Sequence, residues 1–308
     1  MILSARQASQ LKQNPEITVS IDQDLTKYNS FRLNSSGDLI IVKSVPALSE
    51  VIHFLKSENM TYRVLGHGSN LVLPTIADWI YLKLEIPISH EYLNEPREEY
   101  LLPASTQLSL LTQHAMKFGL SGWEVFTGIP ASLGGAVTMN AGTNLGEISG
   151  IIIDLQLLNS EGILSSHTVT PHSFGYRTNH FLKKGDVIYS VRIKHLGIDA
   201  HIPQKIRDYL ALRKRTQPLS VPTCGCVFKN RKTMDHGKET IFRAGQLIDL
   251  IGLKGRCINR LKVSSTHANF FENLGGATKA DFLALVQIIN DEVQSKYGFK
   301  FDMEVEVW

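Results

Sequence analysis

Apolar and polar residues along this chain fall into short blocks whose period switches between two and roughly 3.6 residues. Asp38-Leu-Ile-Ile-Val-Lys-Ser44 is almost continuously apolar and predicts a buried strand. Ser44 and Pro46 then open a helix whose Leu48, Val51, Ile52 and Leu55 share one face. Tyr62-Arg-Val-Leu65 predicts the next strand, so the segment reads strand, helix, strand. Further strands are expected at Trp79 to Leu84 and at Tyr100 to Ser105, with a helix marked by Leu108, Leu111, Ala115 and Met116 that Gly119 can close. Ile151 to Leu158 and Ile163 to Val169, joined at Asn159 to Gly162, predict a hairpin, followed by a strand over Asp186 to Ile193. Residues 1 to 27 read as polar and irregular, with only Ile17, Val19 and Ile21 suggesting a strand.

From about residue 202 the pattern changes. Ile206, Tyr209, Leu210 and Arg213 run along a basic helix carrying Lys205, Arg207, Lys214 and Arg215, charges whose ordinary role is a solvated face. Leu247, Ile248 and Ile251 mark a helix closed by Gly252; Phe282, Leu285, Val286, Ile289 and Val293 mark another after Thr278 and Asp281. Strand-like patches lie from Cys257 to Phe271, and Phe301 to Trp308 alternates with Glu304 and Glu306 on one face. The mixture predicts an α+β protein with domains at 1–200, in two α/β subdomains, and 201–308. The C-terminal strand is a candidate to complete the first.

Composition narrows the class. The 308 residues are 43% hydrophobic and 20% charged, enough for two cores in a globular chain. A net charge of +3 is too small to argue for nucleic acid. No apolar run approaches the ~20 residues a membrane helix needs, and the first residues lack a secretory pattern. Three cysteines, with Cys224 and Cys226 one residue apart, make no disulfide framework, so a reduced, cytoplasmic protein is expected. Separately, a monomer is expected rather than an oligomer. Cys224, Cys226, Cys257 and His267 lack the paired spacing of a structural zinc site, and no metal is expected.

Two glycine-rich stretches then stand out. Gly128 to Gly142 holds four glycines, Pro130 and Ser132 among small side chains. Its backbone can approach a ligand closely, and free amides there would suit a pyrophosphate. Leu65-Gly-His-Gly-Ser-Asn-Leu71 has similar chemistry, and together they point to a large phosphate-bearing cofactor. The Gly66 to Asn70 loop, which ends a strand, helix, strand unit, does not follow the order of a dinucleotide fingerprint, and no Walker-type Gly-Lys-Ser/Thr occurs. Arg177, beside Tyr176, could clamp a carboxylate, or could be a surface ion-pair partner. Cys226 could be a nucleophile, a proton donor or a small buried hydrophobe. His267 could be catalytic but reads first as a hydrogen-bonded edge residue, and Glu304 as the edge of a solvent-facing strand.

Taken in order, these motifs resemble the UDP-N-acetylenolpyruvoylglucosamine reductase (UDP-N-acetylmuramate dehydrogenase) family. The likeness runs through Asn29-Ser-Phe-Arg32, Gly66-His-Gly-Ser-Asn70, Gly128-Ile-Pro to Asn140-Ala-Gly142, Gly175-Tyr-Arg177, Cys224 to Asn230, His267-Ala-Asn-Phe270 and Met303-Glu-Val305. It implies a vanillyl-alcohol-oxidase-type FAD-binding domain with a C-terminal α/β substrate domain. It also implies tightly but non-covalently held FAD, NADPH as co-substrate and UDP-N-acetylglucosamine enolpyruvate as substrate. Hydride would pass from flavin N5, with the enolate stabilised by Arg177 and Glu304 and the proton coming from Cys226, where most members have serine. Carried over position by position, cofactor contacts fall on Gly66, His67, Gly68, Ser69 and Asn70. They continue through Ile129, Pro130, Ala131, Ser132, Gly135, Ala136, Asn140 and Arg213. Substrate contacts fall on Tyr176, Asn230 and His267. The short span from Tyr176 to Val191 resembles the compact branch, without the tyrosine-bearing insertion. His67 and Ala131 replace glycines, Asn179 a serine, Asn259-Arg260 a Gly-Gly pair and Glu306 an arginine. At His67 a left-handed backbone would cost about 1 kcal/mol or more. Competing readings are a flavin oxidase of the same fold, a thiol hydrolase using Cys226 with His267 as base, and a nucleotide-binding module without catalysis.

Overall fold

Ser44 takes the N-cap position and its hydroxyl accepts from the Ala47 amide at 3.2 Å, which starts the helix Val45–Ser57 where the sequence predicts it. Its buried face, from Ala47 to Leu55, packs on a four-stranded sheet ordered Ile17–Asp24, Ser36–Val42, Ile80–Leu84, Tyr62–Val64. The pairs Leu39↔Tyr81 and Tyr62↔Ile80 are parallel, as strands joined through a helix require. The computed structural model describes residues 2–235 and 238–308.

The opening residues are not irregular. Ser4 and Gln7 form a capping box for the helix Ala5–Leu11, and Leu3, Ala8 and Leu11 enter the same core as Ile17 and Val19 of the first strand. The buried Asp38 carboxylate fastens this segment, accepting from the amides of Ile2 at 2.6 Å, Leu3 at 2.7 Å and Asp22 at 2.9 Å. Burial alone would raise its pKa, but these amides hold it below the usual carboxylate value.

A second sheet is antiparallel throughout, ordered Leu164–Thr168, Ile152–Leu158, Val187–Lys194, Glu99–Pro103. It shares a core with the helix Leu108–Phe118, where Trp123, Tyr100 and His114 form an aromatic cluster and the Tyr100 hydroxyl meets His114 Nε2 at 2.9 Å. Both sheets lie in one compact unit, made of residues 1–23, 37–67 and 77–211.

The other unit comprises residues 24–36, 68–76 and 212–308. It holds a three-stranded antiparallel sheet (Cys257–Ile258, Leu261–Val263, Phe271–Asn273) and the helices Ala244–Leu250 and Lys279–Tyr297, the latter started by the predicted Thr278/Asp281 capping box. The compact units therefore do not follow one cut at residue 200. Ile202 and Ile206 of the helix Ile202–Thr216 are buried in the core of the first unit, while residues 24–36 and 68–76 join the second. Asn273 explains the first of those excursions: its Nδ2 donates to the carbonyls of Phe31 at 2.9 Å and Arg32 at 3.1 Å. The C-terminal strand shrinks to Glu306–Val307 and pairs in parallel with Leu71–Val72, a stretch from the N-terminal part of the sequence that lies in the same unit. Upstream of it Phe301 and Val305 are buried but Met303 is exposed, so the alternation does not hold over the whole stretch.

Candidate active site

In the first unit Gly66, which opens the first glycine-rich turn, lies beside Ser132 of the second. A Cβ on Gly66 would come within 3.1 Å of Ser132 Oγ, and one on Gly135 within 3.3 Å. Ser132 caps the short helix Leu133–Thr138, which replaces part of the expected loop. The run of free amides predicted there is largely engaged within the protein. Leu133 N–H donates to Thr106 O and Gly134 N–H to Ala104 O, both at 2.8 Å, and Ala136 N–H to Ser132 O at 2.9 Å. What remains open is the surface of Pro130 and Gly135, with half-buried Ile129, Ala131 and Ser132 beside it. His67 is exposed and is not among the residues with positive φ, so its replacement of glycine carries no left-handed strain. Partial desolvation, then the Lys83 ammonium, hold its imidazole below the usual value. The left-handed position is Gly68 (φ +67), in the second unit, where a Cβ would press to 2.2 Å from the Tyr28 carbonyl oxygen.

Arg177 also has positive φ (55°), uncommon for a long side chain. Its guanidinium, 14% exposed, donates to the carbonyls of Asn140 at 3.4 Å and Gly142 at 2.8 Å, with Glu147 Oε1 3.6 Å from Nη1. It also lies 5.1 Å from the ring of Tyr176, which is exposed. Asn140 is fully buried and works from both ends: Nδ2 donates to Glu147 Oε2 at 2.8 Å and Gly175 O at 3.0 Å, and Oδ1 accepts from Ser149 N at 3.2 Å. Asn179, at the family's serine position, donates to Thr138 O at 2.7 Å.

In the second unit, Cys226 and Glu304 come together from opposite ends of its sequence. Cys226 forms a β-bridge with Phe270, and the next residue, Val227, accepts the Glu304 amide at 2.8 Å. Asn70 Nδ2 donates to the Glu304 carbonyl at 3.1 Å, and the Ser69 carbonyl lies 3.6 Å from where a Gly225 Cβ would stand. Cys226 and Glu304 are both half-buried residues. Cys224, two residues away, is fully buried, and desolvation raises its thiol pKa far above normal.

The remaining expected residues divide. Asn230 is exposed and its Oδ1 accepts the Ala244 amide at 3.0 Å, starting the helix Ala244–Leu250. His267 serves its own turn, with Nδ1 accepting the Asn269 amide at 3.3 Å and its ring edge-on to Phe270; desolvation, then Lys254, hold its pKa down. Arg213 is half-buried in the last turn of the helix Ile202–Thr216. Asn259, in place of a glycine, keeps positive φ (48°) and donates to Asp281 at 2.6 Å.

Residues 217–308 match the family model for the C-terminal domain of UDP-N-acetylenolpyruvoylglucosamine reductase, and residues 39–166 match an FAD binding domain. The reductase of Alkaliphilus oremlandii is 31% identical over 297 residues, covering 95% of this chain and 94% of its own. This chain belongs to the UDP-N-acetylenolpyruvoylglucosamine reductase family. The reductase of Halalkalibacterium halodurans is 32% identical over 293 residues, covering 94% of each chain. The solved reductase of Thermus caldophilus matches with a TM-score of 0.74 at 30% identity, over 95% of this chain and 98% of its own.

Membership makes this an α+β flavoprotein, with the FAD binding domain ahead of the reductase C-terminal domain. The residues present fit FAD, because the strip beside Ser132 is kept clear by Gly66 and Gly135, where side chains would begin to fill it. Among the described residues no helix is long and apolar enough to cross a membrane. Sequence reading missed Glu147, whose contacts with Asn140 and Arg177 span a hairpin that reads as loop. The Gly-Thr-Asn-Leu-Gly-Glu run from Gly142 was its available turn signal.

Proposed function

We propose that this chain reduces the enolpyruvyl ether of UDP-N-acetylglucosamine to UDP-N-acetylmuramate, an NADPH-dependent step of peptidoglycan precursor synthesis in the cytoplasm. One observation carries the reading beyond family membership. The Cys226 thiol and the Glu304 carboxylate sit on adjoining backbone, linked by the 2.8 Å bond from Glu304 N–H to Val227 O, in a chain with an FAD binding domain. When bound, FAD would supply the hydride for the terminal carbon of the substrate double bond, with NADPH as its source.

The rest of the chemistry falls on side chains. As hydride adds, electron density moves into the substrate carboxylate as an enolate. Arg177 stabilises that charge, because a guanidinium is always protonated and its donors are fixed in one plane. Glu304 holds a proton against the same carboxylate. Cys226 gives its proton to the adjacent carbon, which completes the lactyl ether, and the thiolate left behind is reprotonated from water. A cysteine thiol ordinarily ionises near pH ~8.5, which makes it a competent acid at this position, where a serine hydroxyl also serves in relatives. Asn230, Tyr176 and His267 contact the substrate, and the two glycine-rich turns with Arg213 hold the cofactor, while the buried Asn140 side chain is taken up by Glu147, Gly175 and Ser149.

The test separates two half-reactions. Under anaerobic conditions NADPH should bleach the flavin spectrum, and the enolpyruvyl substrate should restore it. Protein that cannot be reconstituted with FAD, or reduced protein that ignores the substrate, would sink the proposal.

A further inference from the structure

We infer that Glu147 is a positioning residue for the reductive step, acting through Arg177. The inference rests on the role proposed above for Arg177 and adds a residue outside that set. Glu147 reaches the arginine by two routes. Directly, Oε1 lies 3.6 Å from Nη1; indirectly, Oε2 accepts from Asn140 Nδ2 at 2.8 Å, and the Asn140 carbonyl accepts from Arg177 Nη1 at 3.4 Å. The same Asn140 amide group donates to Gly175 O at 3.0 Å, two residues before the arginine. One carboxylate therefore bears on both the guanidinium and the backbone that presents it.

The hairpin that carries Glu147 is built for this closeness. Gly142 pairs with Glu147 and Thr143 with Gly146, and a Cβ on Gly142 would stand 2.6 Å from the Gly146 carbonyl oxygen and 2.9 Å from Glu147 Cγ. The Gly142 carbonyl is also the acceptor for Arg177 Nη2 at 2.8 Å. Arginine, asparagine and glutamate thus lock one another around a left-handed backbone at Arg177 (φ 55°), uncommon for a long side chain, and at Asn140 (φ 46°), which asparagine tolerates. A positive fork aimed at a developing enolate loses most of its effect if it swings away, and a misplacement of about 1 Å can cost about 10²-fold in rate.

Anaerobic stopped-flow on Glu147→Ala, Glu147→Gln and the double variant Glu147→Ala/Arg177→Lys decides it. Glu147→Ala should slow flavin reoxidation by the enolpyruvyl substrate by about 10²-fold, with NADPH reduction and flavin content unchanged. Glu147→Gln, which keeps an acceptor for Asn140 and loses only the charge, should lose less. In the Arg177→Lys background, Glu147→Ala should bring no further slowing. Reoxidation of Glu147→Ala at the parent rate would overturn the inference. So would equal slowing of both half-reactions in both single variants, or a full additional loss in the double variant. Arg177→Lys alone at the parent rate would instead remove the arginine assignment on which the inference stands.

Discussion

Arg177 and the Cys226–Glu304 pair are held by opposite strategies. Arg177 is fixed by a network drawn from one stretch of chain, residues 140–177, with two carbonyl acceptors, a carboxylate and a buried asparagine around one guanidinium. Cys226 and Glu304 are placed by backbone pairing among segments far apart in sequence: Asn70, Val227, Phe270 and Glu304 itself. A permanent cation needs direction, which comes from side-chain bonds. The proton donor proposed here needs position and partial shelter from water, which main-chain bridges supply.

The comparison breaks most sharply at the thiol. Cys226→Ala should be reduced by NADPH at the parent rate and then stall with substrate, losing ~10²–10⁴ in that half-reaction, whereas Cys226→Ser should retain much of it. Parent-rate reoxidation of Cys226→Ala in rapid mixing would reduce Cys226 to a packing residue. Arg177→Lys should lose about 10²–10³ in the same half-reaction, because a point charge cannot bond two carbonyls in one plane. Glu304→Gln should follow the same pattern, since the shape stays and the proton capacity goes. Steady-state KM near the parent value with a depressed kcat would mark these losses as transition-state effects.

A backbone change sharpens the other side of the comparison. Gly142→Ala forces a methyl to about 2.6 Å from a carbonyl oxygen, so the hairpin must open. Urea unfolding should register a loss of about 1–3 kcal/mol, with slower reoxidation, while C-terminal domain positions respond little. The smallest effects come from two histidines, one in each unit. Desolvation lowers the pKa of both His114 and His267, so each is kept neutral by folding. The unfolded chain then takes up protons first as pH falls below its ordinary value of about 6.5, and stability declines until the folded-state pKa is passed. His114→Gln and His267→Gln should each flatten the pH dependence of unfolding between about pH 7 and 5. A steeper slope in either variant would contradict the assignment.

Much of the architecture was legible because it depends on local pattern. The helix from Val45, the hairpin around Asn159 to Gly162 and the capping box at Thr278 and Asp281 all stand where periodicity and end signals put them. The opening helix was missed although Ser4 and Gln7 carry its signature, since seven residues offer too little periodicity to outweigh a polar setting. From composition alone the Gly128 to Gly142 stretch reads as an open anion cradle. Composition announces glycine, but it does not say whether the amides are free, and Thr106 and Ala104 take two of them. The motif Asn29-Ser-Phe-Arg32 proved structural. Asn29 bonds its own turn, Ser30 Oγ donates to Thr223 O at 2.7 Å, and Asn273 holds the carbonyls that follow.

By itself the sequence determined the types of the longer elements, the α+β class and the family, because each follows from residue order over windows of a few to a few dozen positions. It also named Arg177, Cys226 and Glu304, through motifs that survive in order along the chain. Tertiary structure alone decided three things. Residues 24–36 and 68–76 were gathered into the C-terminal unit, the last strand paired with Leu71–Val72, and Glu147 was brought to Arg177. Each of these is a contact between groups many residues apart. Such contacts depend on which surfaces are buried together, and the period of a local pattern holds no record of that choice.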